Sequence, residues 1–141
     1  MSTSGEALSG PAATAKRFVD AVVWGEHLFV WDLLSTTGRE TVLATATARG
    51  MASEVADRLR SGTAPAVERD AYLADLVNGL RAELAGSDVD RLVYEDVGEG
   101  IVRALTPVPA DLGAPLPVAV LELRAVATRW FVERLSAIRS G

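Results

Sequence analysis

Two stretches, Asp70-Ala-Tyr-Leu-Ala-Asp-Leu-Val-Asn-Gly-Leu-Arg-Ala-Glu-Leu-Ala85 and Arg91-Leu-Val-Tyr-Glu-Asp-Val97, decide the fold between them, because the apolar period changes from one to the other. In the first, Tyr72, Leu73, Leu76, Val77, Leu80 and Leu84 form a wide stripe at helical spacing, and Asp75, Asn78, Arg81 and Glu83 lie away from its centre. Gly86 is a natural terminator. In the second, Leu92, Tyr94 and Asp96 alternate with Val93, Glu95 and Val97, the period of a strand.

Upstream, the pattern stays helical. Pro11 suits the first turn of a helix, and Ala15, Phe18, Val19 and Val22 give one apolar stripe that Gly25 can end. A short helix is expected from Glu26 to Leu34, with Leu28, Trp31 and Leu34 at helical spacing. Thr37-Gly38-Arg39-Glu40 fits a capping box and predicts a helix through Ala48. The β-branched run Thr41 to Ala48 leaves a strand as the alternative. Met51 to Arg60, with Val55 and Leu59 four apart, predicts one more helix, stopped by Gly62.

Downstream, the pattern is β. Ile101 to Thr106 follows the first strand across the glycine-containing connection Gly98-Glu99-Gly100, and Pro107 to Pro117 reads as a loop. Pro117 to Arg124 and Thr128 to Leu135 form a second hairpin, although Ala125-Val126-Ala127 lacks the usual turn residues. On the third strand Ala119, Leu121 and Leu123 oppose Val118, Val120, Glu122 and Arg124; on the fourth, Trp130 and Val132 oppose Phe131 and Leu135. Neither face is cleanly polar, so both need cover, and a homodimer through the sheet is the simplest answer. The expected class is α+β: N-terminal helices packed on a curved antiparallel sheet of about four strands.

Composition narrows the function classes. A length of 141 residues with 49% hydrophobic content supports one core, built of small and branched side chains since aromatics reach only 6%. We expect a disordered leader over residues 1–10, one domain over 11–137 and a tail over 138–141. The net charge of −5, with arginines scattered singly among acids as at Glu68-Arg69-Asp70, argues against nucleic-acid binding. The absence of cysteine excludes thiol nucleophiles, thiolate metal sites and disulfides. Met1 to Gly10 has neither a basic start nor an apolar run, and no stretch approaches the ~18 apolar residues of a membrane span. The sequence therefore reads as cytoplasmic, with no membrane partner.

The segment Phe18-Val-Asp-Ala-Val22, followed by Trp31-Asp-Leu-Leu-Ser35, Gly38-Arg39 and the closing Arg129-Trp-Phe-Val132, resembles the NTF2-like superfamily, which includes nuclear transport factor 2, ketosteroid isomerase, limonene epoxide hydrolase and polyketide cyclases. It is similar above all to uncharacterised actinobacterial members, over about residues 12 to 135. The resemblance implies a cone of helices wrapped on a bent sheet, a pocket between them, and frequent dimerisation through the sheet. The middle of this chain is more helical than the common pattern, which has a strand between the second and third helices. Neither the isomerase's tyrosine and two aspartates nor the epoxide hydrolase's aspartate–arginine–aspartate set finds matching positions. The resemblance thus carries fold, not activity.

Candidate chemistry is sparse. His27, the single histidine, suits either a general base or a surface or capping role. Asp88 with Asp90, and Glu95 with Asp96, are the nearest acidic pairs, but neighbours in a strand point to opposite faces. The more informative group is Tyr94, Asp96, Arg103 and Trp130, expected to line one concave face with Trp31 as an apolar wall; the alternative makes Tyr94 and Trp130 core and pairs Arg103 with an acid on the outer face. No phosphate loop, Gly-x-Ser-x-Gly or His-Glu-x-x-His occurs, so no cofactor and no metal is expected. The expected function is binding of a small apolar molecule. The alternatives are an isomerase, dehydratase or polyketide-cyclase type of enzyme, and a dimerising module whose pocket is filled by its own side chains.

Overall fold

The computed structural model describes residues 10–85, 91–106, 113 and 116–138. Among these, five helices precede a four-stranded antiparallel sheet, a mixed α+β architecture. The expected leader lies almost wholly outside the described residues, as do Gly86, Asp88, Asp90 and most of the proline loop.

Helix α1, Gly10–Trp24, buries Ala15, Phe18, Val19 and Val22, the stripe read from the sequence. It lies across the sheet and touches all four strands. Gly25, at φ +72°, ends it in the left-handed conformation, and the Glu26 N–H reaches back to the Ala21 carbonyl at 2.8 Å. Helix α2, His27–Leu33, turns a different face inward from the one its spacing predicted. Val30, Leu33 and the following Leu34 are buried, Leu28 is exposed and Trp31 is half-buried. The reason is that Leu34 leaves the helix in an extended conformation and forms a parallel bridge to Val132.

Helix α3, Thr36–Ala48, is capped differently from the expected box. Ser35 is the N-cap and its hydroxyl accepts from the Gly38 N–H at 2.9 Å, while Glu40 bonds Arg60 instead. The β-branched run stays helical, which removes the strand alternative: Thr41, Thr45 and Thr47 donate their hydroxyls to carbonyls four residues back, at 3.0, 3.1 and 2.9 Å. Helix α4, Ser53–Ser61, ends as expected at Gly62, φ +78°. Helix α5, Ala66–Glu83, begins four residues before the expected Asp70, because Pro65 serves as its N-cap and offers its carbonyl to the Arg69 N–H.

The strands β1 (Val93–Gly98), β2 (Ile101–Thr106), β3 (Leu116–Val126) and β4 (Arg129–Ala137) pair in sequence order. Pro117 belongs to β3 and not to the loop. It sits beside a bulge, beyond the last β3–β4 pair Ala119–Ala137, where a missing N–H costs no ladder bond to β4. A second irregularity, between Glu122 and Leu123, changes the side-chain parity of β4. Leu135 therefore stands opposite Leu121 and packs on the core, not on the face of Phe131 as alternation alone predicted.

The inner face presents Tyr94, Val102, Ala104, Ala119, Leu121, Leu123 and Val132, all buried against α1 and α2. Phe18, Val19 and Val22 fill the space between α1 and this face. The outer face carries the pairs Glu95–Arg103 and Glu122–Arg134 among partly exposed valines, Val93 and Val97 being half-exposed.

Candidate functional site

The sheet separates the residues that the sequence grouped. Tyr94 pairs with Ala104, and its neighbour Glu95 pairs with Arg103, so Tyr94 and Arg103 face opposite sides. Arg103 binds Glu95 on the outer face, donating from Nε at 2.9 Å and from a second N–H. Tyr94 is core, and its hydroxyl has no partner among the described residues. Burial, with a smaller contribution from the charge of Asp20, pushes its pKa far above the ordinary tyrosine value. Asp96 is exposed and accepts the Gly98 N–H at 2.9 Å, tightening the hairpin turn. Trp130 is half-buried beside Gly10 at the start of α1, and Trp31 belongs to the helical layer. The five do not converge on one concave face.

A different group does converge. A cleft of about 360 Å³ between α3 and α5 has apolar walls from Val42, Met51 and Leu76. Four polar side chains line it: Tyr72, Asp75, Arg49 and Thr45, whose hydroxyl already donates to the Thr41 carbonyl. Tyr72 and Asp75 are three apart on α5 and share a face, while Arg49 is the residue that caps α3. The Tyr72 hydroxyl is buried without a partner, and burial pushes its pKa up to about 12. Neither the Arg49 nor the Asp75 side chain has a hydrogen bond or ion pair among the described residues. The cleft thus offers a cation and an anion that the protein leaves unengaged, with the Tyr72 hydroxyl enclosed in its wall. Sequence reading absorbed Tyr72 and Leu76 into a core stripe; the signal available was Asp75, an acid at the stripe's edge on the tyrosine's side of the helix.

A second cleft, of about 260 Å³, lies beside Trp31, and its three arginines, Arg39, Arg58 and Arg69, are already engaged within the chain. Arg39 sits over the Trp31 ring at 5.1 Å and donates to the Trp31 carbonyl at 3.1 Å. Arg58 grips Glu68 through two bonds of 2.9 and 2.8 Å, which hold the Glu68 carboxyl below its usual range. His27 Nε2 lies 3.3 Å from Asp70, which also accepts from Arg69 at 3.2 Å. His27 therefore ties α2 to α5 at the start of the helical layer.

Among the described residues, no group of three or more histidine, aspartate or glutamate side chains is placed to hold a metal ion, and no helix is long and apolar enough to cross a membrane. Compared with models of known protein families, with curated proteins and with solved structures, the chain matches none.

Proposed function

We propose that the chain is a small-molecule-binding domain of NTF2-like type that takes its ligand between α3 and α5. The carrying observation is the Tyr72 hydroxyl, buried and unpartnered at the wall of a cleft that also holds an unpaired arginine and an unpaired aspartate. An unpaired buried hydroxyl costs stability, and a ligand that accepts or donates there recovers it. The apolar walls select a compact hydrophobic body, and Arg49 or Asp75 selects an acidic or a basic head group.

The family reading rests on helices leading into a four-stranded meander, and on Leu34. Its parallel bridge to Val132 falls between the second and third helices, where the superfamily carries a strand. This chain differs in that α1 and the inner face are packed together by Phe18, Val19 and Val22, so the ligand site moves into the helical layer.

A thermal-shift panel of small aromatic acids and amines tests the reading. Saturating a Tyr72-lined site raises the melting temperature by about 3 °C or more. Arg49→Gln abolishes the response to acids, or Asp75→Asn the response to amines. A panel without any saturable shift contradicts the proposal.

The outer sheet face favours a second, compatible reading, a homodimer. Half-exposed Val93 and Val97 lie among ion pairs that neutralise one another within the chain, leaving apolar groups for a second copy. Light scattering at micromolar concentration should then give about twice the 14.9 kDa chain mass. The monomer mass overturns it.

A further inference from the structure

Granted that the cleft between α3 and α5 takes a ligand, we propose that the ligand is a zwitterion, an amino acid with an apolar side chain. The carrying relationship is between Arg49 and Asp75. They bear opposite charges and line one cleft, yet their side chains stand too far apart to pair. Elsewhere in the same helical layer such charges do pair: Arg58 binds Glu68, Arg60 binds Glu40 and Asp57, and Arg69 binds Asp70.

The packing of the two helices keeps the charges apart. On α3, Val42, Ala46 and Arg49 follow helical spacing and line the cleft; on α5, Tyr72, Asp75 and Leu76 do the same. Helix α3 packs on α4 and β4, and α5 packs on α1 and α2. Each helix is held by other elements, so the two walls do not close on each other.

The exposure of the lining residues gives the site its polarity. Arg49 and Asp75 are exposed and form the rim, while Val42, Ala46, Met51 and Leu76 are half-buried and form the floor. A charged head at the rim with an apolar body below it fits that order. The volume of about 360 Å³ is small for a ligand pocket and suits a body the size of one amino-acid side chain.

The wall charges then choose the head group. An acid that reaches Arg49 also comes near Asp75, a like charge, and an amine at Asp75 comes near Arg49. Each single-headed ligand is attracted by one wall and repelled by the other. A zwitterion meets both charges with their opposites, so the residues that attract it also reject its half-charged analogues. The rim is open to water, and the preference therefore weakens as salt is added.

Three probes share one phenyl body and differ only in charge: L-phenylalanine, 3-phenylpropionate and 2-phenylethylamine. Each is titrated into the full chain at neutral pH and low ionic strength, with the Met51 methyl signal, assigned by Met51→Leu, as the readout. Phenylalanine is expected to bind about tenfold more tightly than either analogue. Asp75→Asn weakens phenylalanine binding by about tenfold and tightens that of phenylpropionate. Arg49→Gln weakens phenylalanine by the same factor and tightens phenylethylamine. Both side chains are exposed, so an unchanged melting temperature in each variant shows that the fold is intact. An analogue that binds as tightly as phenylalanine, or a variant that leaves phenylalanine binding unaltered, overturns the zwitterion and leaves the cleft standing as a ligand site. A Met51 signal that none of the three moves counts against the cleft itself, and the ligand class falls with it.

Discussion

Trp31 and Tyr72 meet edge to face, ring centroids 6.1 Å apart and planes at 89°, and this contact joins α2 to α5. Trp31 packs on the main core and also on the smaller cluster of Leu43, Ala56 and Leu59. Tyr72 packs on that smaller cluster too. The tyrosine ring is therefore held by packing, while its hydroxyl is held by nothing. That mismatch is the basis on which the α3–α5 cleft is proposed as a binding site.

Tyr72→Phe deletes only that hydroxyl. A buried unpaired hydroxyl costs about 1–3 kcal/mol, so without ligand the variant is expected to be at least as stable as the parent chain. Urea denaturation measures this. A loss of more than about 1 kcal/mol means that the hydroxyl has a partner in the folded protein.

Alkaline stability follows from the same two tyrosines. Tyr72 is shifted by burial from 10.0 to about 12, and Tyr94 is shifted further in the same direction. The folded state therefore binds more protons than the unfolded state above pH 10. Stability is full below the unfolded value and falls as pH rises toward the folded one, so the decline begins near pH 10 and, for Tyr72, runs to about pH 12. Denaturation midpoints measured from pH 9 to pH 12 should fall less steeply in Tyr94→Phe. Parallel slopes in parent and variant contradict the burial of Tyr94.

Two glycines in helices should respond with opposite sign. In α3, a Cβ on Gly38 would lie 2.7 Å from the Val132 carbonyl oxygen and 3.1 Å from that of Glu133, backbone atoms that cannot step aside. Gly38→Ala is therefore expected to destabilise by roughly 2 kcal/mol or more despite alanine's better helix propensity. In α5, a Cβ on Gly79 meets nothing within 4 Å, and Gly79→Ala should stabilise by about 0.5–1 kcal/mol. Equal effects at the two sites would mean that α3 does not press on β4.

Much of the fold was legible because the apolar period carries it. The stripe of α1, the stop at Gly62 and the bounds of β2 all follow from spacing and glycine placement. What was not legible arises from contacts distant in sequence. The inward face of α2 is set by the bridge from Leu34 to Val132, and the side of Leu135 by a bulge, neither of which leaves a local pattern. The capping error has a local cause: Ser35 and Thr37 are both acceptable caps, and Gly38 chooses Ser35 because only glycine fits against Val132. The candidate site misled for a related reason. Tyr94 and Arg103 lie near each other along two strands, yet the register places them on opposite faces. Tyr72, hidden in a helical stripe, became visible only once its hydroxyl could be checked for a partner.

The central claim, ligand binding between α3 and α5, is tested most directly at the Met51 methyl group, which lies in the wall of the cleft. The chain has two methionines, so a methyl-labelled spectrum is simple, and Met51→Leu assigns the signal. Titration with those panel acids and amines that raise the melting temperature should move the Met51 signal saturably and leave that of Met1 in place. Arg49→Gln should weaken the acids, or Asp75→Asn the amines, by about tenfold. A Met51 signal that stays fixed while the protein binds those compounds places their site elsewhere and contradicts the account.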